Sequence, residues 1–131
     1  GLGLAIVDKR REKANCSEVM NIIGNVEGKT CLLLDDMVDT AGSLCGAAKA
    51  IVEVGGAKEV FACASHGVLS GPAIDRINET EALSQVIVTD TIPLGDKLER
   101  CPQLKVISVA ALLGKTIHNI HTGSSVSVLF V

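Results

Sequence analysis

The segment TCLLLDDMVDTAGS, residues 30–43, constrains the fold of this chain more than any other part of the sequence. Its first five residues are almost continuously apolar, which is typical of a strand buried on both faces. Two aspartates follow directly, and a third comes three residues later. Small residues then open a stretch with apolar positions at helical spacing. We therefore predict a buried strand over residues 30–34, a loop over 35–43 and a helix over 42–54.

Further strands and helices alternate along the chain. Aromatic residues make up only 2% of the sequence, so the core must be built from aliphatic side chains, as in parallel strands covered by helices. The alternation predicts one α/β domain, with a parallel sheet that carries helices on both faces. The predicted strands cover residues 4–7, 19–26, 59–64, 85–89 and 104–108, the predicted helices cover 72–78 and 109–120, and the tail 125–131 is expected to form an edge strand or to dock on the core.

Composition excludes several classes of protein. The formal net charge is −3, with no basic excess to attract a nucleic-acid backbone. No apolar run approaches the ~20 residues needed to cross a membrane, and no signal peptide is recognised. The five cysteines include no CxxC pair, which favours reduced thiols over disulfides or a zinc site. We expect a cytoplasmic protein, or one of a plastid or other organelle if a targeting segment precedes this chain.

The residues that open the predicted helix suit an anion. Ligands of open α/β sheets bind at the carboxyl ends of the strands, and this segment follows such an end. Thr40, Ala41, Gly42 and Ser43 are small, so backbone N–H groups can approach a phosphate that the helix dipole also favours. The hydroxyls of Thr40 and Ser43 add two donors. A Walker loop is excluded because GxxxxGK[ST] is absent.

Asp35 and Asp36 precede this predicted anion pocket. Carboxylates accept hydrogen bonds from vicinal sugar hydroxyls, or hold Mg²⁺ directly or through water. An anion pocket with acids beside it suits a sugar phosphate. The alternative is structural, since Asp39 or Thr40 could serve only as a helix cap.

Several segments resemble one enzyme family. LLLDDMVDTAGS is similar to the phosphoribosyl-pyrophosphate loop of the type I phosphoribosyltransferase fold. The neighbouring text resembles ribose-phosphate pyrophosphokinases, and more specifically the second of the two homologous domains of that family. The matching segments are AIVDKRR (5–11), EVMNIIGNVEGK (18–29), SHGVLSGPAIDRI (65–77), VTDTIPL (88–94) and SVSVLF (125–130).

The resemblance implies a reaction. The family transfers the β,γ-diphosphoryl group of ATP to the 1-hydroxyl of ribose 5-phosphate, which gives phosphoribosyl pyrophosphate and AMP and requires Mg²⁺. Residues 1–131 would form the C-terminal domain, and the absent N-terminal half would supply much of the ATP surface. The resemblance also implies a homo-oligomer, a dimer or hexamer, with inorganic phosphate and ADP as effectors.

The resemblance also implies roles for individual residues. Lys9 and Arg11 would be catalytic cations of a flexible loop, and Arg11 would also contact ribose 5-phosphate. Asp35 and Asp36 would bind the ribose hydroxyls. The 5-phosphate would be held by Asp39, Thr40, Ala41, Gly42 and Ser43.

Other interpretations stay open at this point. Ser43 stands where the family usually has threonine, but it keeps the hydroxyl. His66 is either a loop histidine with ordinary hydrogen bonds or a ligand, and residues 65–71 are a regulatory candidate. The alternatives for the whole protein are a phosphoribosyltransferase and a non-catalytic regulatory subunit of the synthetase. A dinucleotide-binding domain is excluded because no GxGxxG follows a strand.

Overall fold

The computed structural model describes residues 2–10 and 19–130, without the side chains of Lys9, Arg10 and Val19. Strands and helices alternate through the described part of the chain. In chain order the elements are β1 (Ile6–Arg10), β2 (Val19–Ile23), β3 (Thr30–Val38), α1 (Gly42–Glu53), β4 (Glu59–Gly67), α2 (Ala73–Asn78), β5 (Leu83–Thr89), α3 (Lys97–Arg100), β6 (Leu104–Ile107), α4 (Ala110–His121) and a 3-10 helix (Ser127–Phe130).

Strands β3 to β6 form one parallel sheet in sequential order. Right-handed connections between neighbours in such an order bring their helices to the same face of the sheet. Strands β1 and β2 form a separate antiparallel hairpin. The predicted parallel α/β fold is confirmed, and α1 ends within one residue of its predicted end.

The core lies between the sheet and helices α1 and α2. Leu44, Ala48 and Ile51 are buried on one face of α1, at the i, i+4 and i+7 spacing of an amphipathic helix. They belong to the same buried cluster as Val60 of β4 and Val86 of β5. This packing fixes the start of α1 relative to the carboxyl end of β3, where the acidic residues lie.

The opposite face of the sheet is open in the described part of the chain. Leu32 and Leu34 of β3 are 56% and 76% exposed, and Ile107 of β6 is 59% exposed. Side chains alternate between the faces of a strand, so these three lie opposite the face that packs on α1. The packing therefore differs from the predicted helices on both faces. In the run TCLLL, Cys31 and Leu33 are half-buried and the other three residues are exposed.

Several local predictions are corrected. The first strand covers residues 6–10 instead of the predicted 4–7, because residues 8–10 pair with β2. A short helix, α3, lies between the predicted strands 85–89 and 104–108, where no helix was predicted. The tail forms an exposed 3-10 helix beside α4 and not an edge strand. None of the described helices is long and apolar enough to span a membrane.

Asp90 caps the start of α4 and gives one stability prediction. Its carboxylate accepts a 2.9 Å hydrogen bond from the Val109 N–H. Hydrogen bonds from Ser108 first, and then from Val109, lower the pKa of Asp90 below its ordinary value of 3.8. A lowered carboxyl pKa stabilises the fold above that ordinary value, and this contribution is lost as the pH falls through the folded-state pKa.

We expect Asp90→Asn to reduce stability slightly at pH 6, because the variant lacks the charged cap, and to reduce it less at pH 3. Urea unfolding of both proteins at the two pH values measures the difference. A difference that is equal at both pH values would contradict the role of the ionised carboxylate.

Candidate functional site

Asp35 and Asp36 lie within the second half of strand β3 and not in a loop. The strand continues to Val38 because its end still pairs with His66 and Gly67 of β4. This corrects the predicted loop over residues 35–43. Asp35 and Asp36 are successive strand residues, so their side chains leave opposite faces of the sheet.

Asp35 lies beside a cleft between the sheet, α1 and the β1–β2 hairpin. Its Oδ1 atom accepts a 2.9 Å hydrogen bond from the Asp36 N–H. The cleft has a volume of about 150 Å³ and brings Asp35 together with Ser43. Asp36 is not among the residues that line it, which are Val7, Met20, Leu33, Leu34, Asp35, Ser43, Leu44 and Ala47.

Helix α1 begins without a side-chain cap. Its N-cap residue is Ala41, which has a φ of 58° and makes no capping hydrogen bond through its side chain. The proposal that Asp39 or Thr40 serves as the cap is therefore wrong. A helix terminus whose N-cap residue provides no capping side chain is suited to bind an anion. Gly42 follows as the first helical residue, so no side chain covers the backbone there.

A second segment supports the loop that connects β3 to α1. Three successive carbonyls of residues 38–40 accept hydrogen bonds from the Leu69 N–H, the Ser70 N–H and the Arg76 guanidinium, at 2.9, 3.0 and 2.9 Å. The Ser70 hydroxyl also donates to the carboxylate of Asp39. The contacts of Ser70 and Arg76 with this loop are not predicted from the sequence, although both residues lie in the segment SHGVLSGPAIDRI. Their contacts span 31 and 36 residues, which no local pattern reveals.

His66 makes an ordinary hydrogen bond. Its Nδ1 lies 2.7 Å from the Thr91 hydroxyl, and the residue belongs to β4 and not to a loop. This favours the structural interpretation of His66 over a ligand role. The regulatory role of residues 65–71 stays a prediction.

The predicted catalytic cations lie at the edge of the described residues. The backbone of Lys9 belongs to β1 and pairs with Met20, which lines the cleft beside Asp35. The hairpin strand that carries Lys9 therefore lies next to the start of α1. Arg11 lies outside the described residues.

Comparison with known proteins identifies the family. The family model described as a phosphoribosyl synthetase-associated domain matches residues 7–131. The chain belongs to this family. This chain is also similar to curated ribose-phosphate pyrophosphokinases. That of Xanthomonas campestris pv. campestris is 56% identical over 128 residues, which cover 98% of this chain and 40% of the relative.

A second curated relative and a solved structure also match this chain. The ribose-phosphate pyrophosphokinase of Burkholderia pseudomallei is 58% identical over 97% of this chain and 39% of its own length. The crystal structure of phosphoribosylpyrophosphate synthetase from Mycobacterium smegmatis matches with a TM-score of 0.73 and 45% identity, over 81% of this chain and 35% of that one. The synthetase-associated domain thus spans about 40% of the length of the curated relatives it matches.

Proposed function

We propose that this chain provides the ribose 5-phosphate site of a ribose-phosphate diphosphokinase. The observation that carries the proposal is the N-terminus of α1, whose N-cap residue provides no capping side chain and which begins six residues after Asp36, beyond the carboxyl end of a parallel strand. The names of the curated relatives support the reaction. Together they favour a sugar-phosphate site over any other anion site.

The 5-phosphate of the sugar would lie at the start of α1. Backbone N–H groups of residues 39–43 and the hydroxyls of Thr40 and Ser43 would donate to its oxygens, and the helix dipole would favour its charge. The Asp39 carboxylate is held by Ser70, so it helps to set the loop conformation. This arrangement orients the sugar with its ring toward the cleft.

The ribose hydroxyls would face the carboxylates. Asp35 lies in the same cleft as Ser43, so it is the better placed acid for the sugar bound there. Asp36 leaves the other face of the strand and would act on the ribose only from the edge of the sheet. We therefore expect Asp35 to contribute more to ribose binding than Asp36.

Lys9 and Arg11 would act on the transferred group. The 1-oxygen of ribose 5-phosphate forms a bond to the β-phosphorus of ATP, the bond from that phosphorus to the AMP oxygen breaks, and the hydroxyl proton is released. Negative charge is spread over the diphosphoryl oxygens during this step. Fixed cations that stabilise this charge lower the barrier.

Mg²⁺ is the proposed cofactor. No group of three or more metal-binding side chains is found among the described residues. Mg²⁺ is commonly held by one or two carboxylates together with substrate phosphates and water. Asp35 at the cleft fits that kind of binding, directly or through water, and not an all-protein cage. Asp36, on the other face of the strand, would reach such an ion only from the edge of the sheet. A bound ion would neutralise charge on the substrate oxygens.

The remaining partners stay proposals. We propose that ATP binds largely to parts of the longer protein outside residues 1–131, which would form its C-terminal domain. Assembly into a dimer or hexamer, regulation by inorganic phosphate and ADP, and a cytoplasmic location remain predictions.

The reaction is tested by the formation of AMP from ATP by the full-length protein, with and without ribose 5-phosphate. We expect AMP and phosphoribosyl pyrophosphate in equal amounts, only when the sugar is present. A phosphoribosyltransferase would instead consume phosphoribosyl pyrophosphate in the presence of a base and form no AMP. A regulatory subunit would show no turnover.

A further inference from the structure

The segment from Leu69 to Arg76 holds the proposed phosphate loop in a defined orientation. The carbonyls of residues 38, 39 and 40 all accept hydrogen bonds from this segment. In a planar trans peptide unit the N–H group points opposite to the carbonyl. The N–H groups of Asp39, Thr40 and Ala41 are therefore directed away from the segment. Successive N–H groups with a common direction form an anion-binding concavity.

Backbone strain occurs at this contact. Among the described residues, Ala41 and Leu69 are the two that have a positive φ without being glycine, at 58° and 50°. Both are buried, at 4% and 2% exposure. Such conformations are unfavourable for residues with a Cβ and persist where the surroundings impose them, commonly at ligand sites. Because the two residues lie in the paired loops, the strain is concentrated at the proposed phosphate site.

Arg76 adds positive charge to the start of α1. Its Nη1 donates to the Thr40 carbonyl at 2.9 Å. The same atom would lie 3.2 Å from a Cβ built on Gly42, so the guanidinium packs against the first residue of the helix. A cation is unfavourable beside the positive end of a helix dipole. An anion bound by the N–H groups of residues 39–41, on the other side of the loop, would offset this repulsion.

We infer that Arg76 is a positioning residue of the phosphate site. It fixes the Thr40 carbonyl, and thereby the direction of the Ala41 N–H, and its charge favours the dianionic form of the bound phosphate. The remaining guanidinium N–H groups provide donors that a lysine lacks. This inference rests on the proposed function, since it concerns the same ribose 5-phosphate site.

The test is calorimetric titration of the full-length protein with ribose 5-phosphate at pH 5 and pH 7.5. A phosphate monoester gains its second negative charge at about pH 6, as the phosphate of a phosphorylated side chain does. We expect Arg76→Met to weaken binding about tenfold at pH 7.5, the loss expected for a charged hydrogen bond. The variant should also lose most of the rise in affinity between the two pH values.

Two further variants complete the test. Arg76→Lys keeps the charge, so we expect it to retain the pH dependence while it recovers only part of the affinity. Arg100→Met is the matched control, because Arg100 is an exposed arginine of α3 that pairs with Asp96, the N-cap residue of the same helix. It should bind ribose 5-phosphate like the wild type.

The outcomes separate this inference from the proposed function. If the wild type binds and Arg76→Met binds equally well, Arg76 does not position the loop. If Arg76→Met binds more weakly but keeps the full pH dependence, its role is structural only and the inference is overturned. If the wild type itself does not bind ribose 5-phosphate, the proposed function fails.

Discussion

Replacement of Lys9 or Arg11 by alanine is expected to reduce the kcat of the full-length enzyme about 100- to 1000-fold, as for the loss of a group that stabilises transition-state charge. Both residues are proposed to contact the diphosphoryl group while it is transferred, when its charge is redistributed. An interaction made mainly in the transition state changes kcat and leaves substrate binding largely intact. The KM for ribose 5-phosphate should therefore change by no more than about threefold in Lys9→Ala. Arg11 is also proposed to contact ribose 5-phosphate, so Arg11→Ala should raise this KM as well, by a much smaller factor than it lowers kcat.

Lys29→Ala is the matched control for this experiment. In the wild type, the Lys29 Nζ donates to the Asn25 carbonyl at 2.8 Å. Lys29 directly precedes the amino end of β3, so it lies toward the opposite end of that strand from Asp35. This variant should keep wild-type kcat and KM. Near-normal turnover of either the Lys9→Ala or the Arg11→Ala enzyme would contradict the catalytic role of that residue.

Gly42→Val is expected to weaken ribose 5-phosphate binding at least about 100-fold, or about 2.8 kcal/mol. A valine side chain at the first residue of α1 would cover the backbone N–H groups that the phosphate must approach. Its Cβ would also lie 3.2 Å from Nη1 of Arg76, so the guanidinium would have to move. Calorimetry of the variant and the wild type measures the loss.

The matched control is Gly114→Val in α4. No atom lies within 4 Å of a Cβ built on Gly114, and this glycine has no positive φ. Valine has a better helix propensity than glycine, so the variant should fold and bind as the wild type does. Unchanged affinity of Gly42→Val for ribose 5-phosphate, with Gly114→Val as reference, would refute the backbone site.

The sequence predicted the parallel sheet and α1 because their determinants are local. The helical spacing of Leu44, Ala48 and Ile51 is sufficient to identify one buried helix face. The family that the resemblance indicated is confirmed by the family model, which matches residues 7–131.

The end of β3 could not be predicted from local preference. Aspartate is unfavourable in strands, so the acids were expected to lie in a loop. Pairing with β4 as far as Gly67 overrides that preference and places Asp35 and Asp36 on opposite faces. The open face of the sheet was missed for a related reason, since a continuous apolar run does not reveal which of its residues a helix covers.

The contacts that hold the proposed phosphate loop could not be predicted from the sequence either. Arg76 reaches the Thr40 carbonyl across 36 residues, and its pattern in the sequence is that of an ordinary solvent-exposed cation on a short helix. The positive φ of Ala41 is equally invisible, because alanine is usually a helical residue. The Arg76 contact is a tertiary one, and Ala41 directly follows the residue whose carbonyl Arg76 holds.

The most direct test of the ribose 5-phosphate site is calorimetric titration of the purified 131-residue chain with this sugar phosphate, with and without Mg²⁺. We predict saturable binding at one site per chain, which Gly42→Val abolishes and Gly114→Val leaves intact. The account would be contradicted if neither this chain nor the full-length protein bound ribose 5-phosphate, or if Gly42→Val bound it as tightly as the wild type.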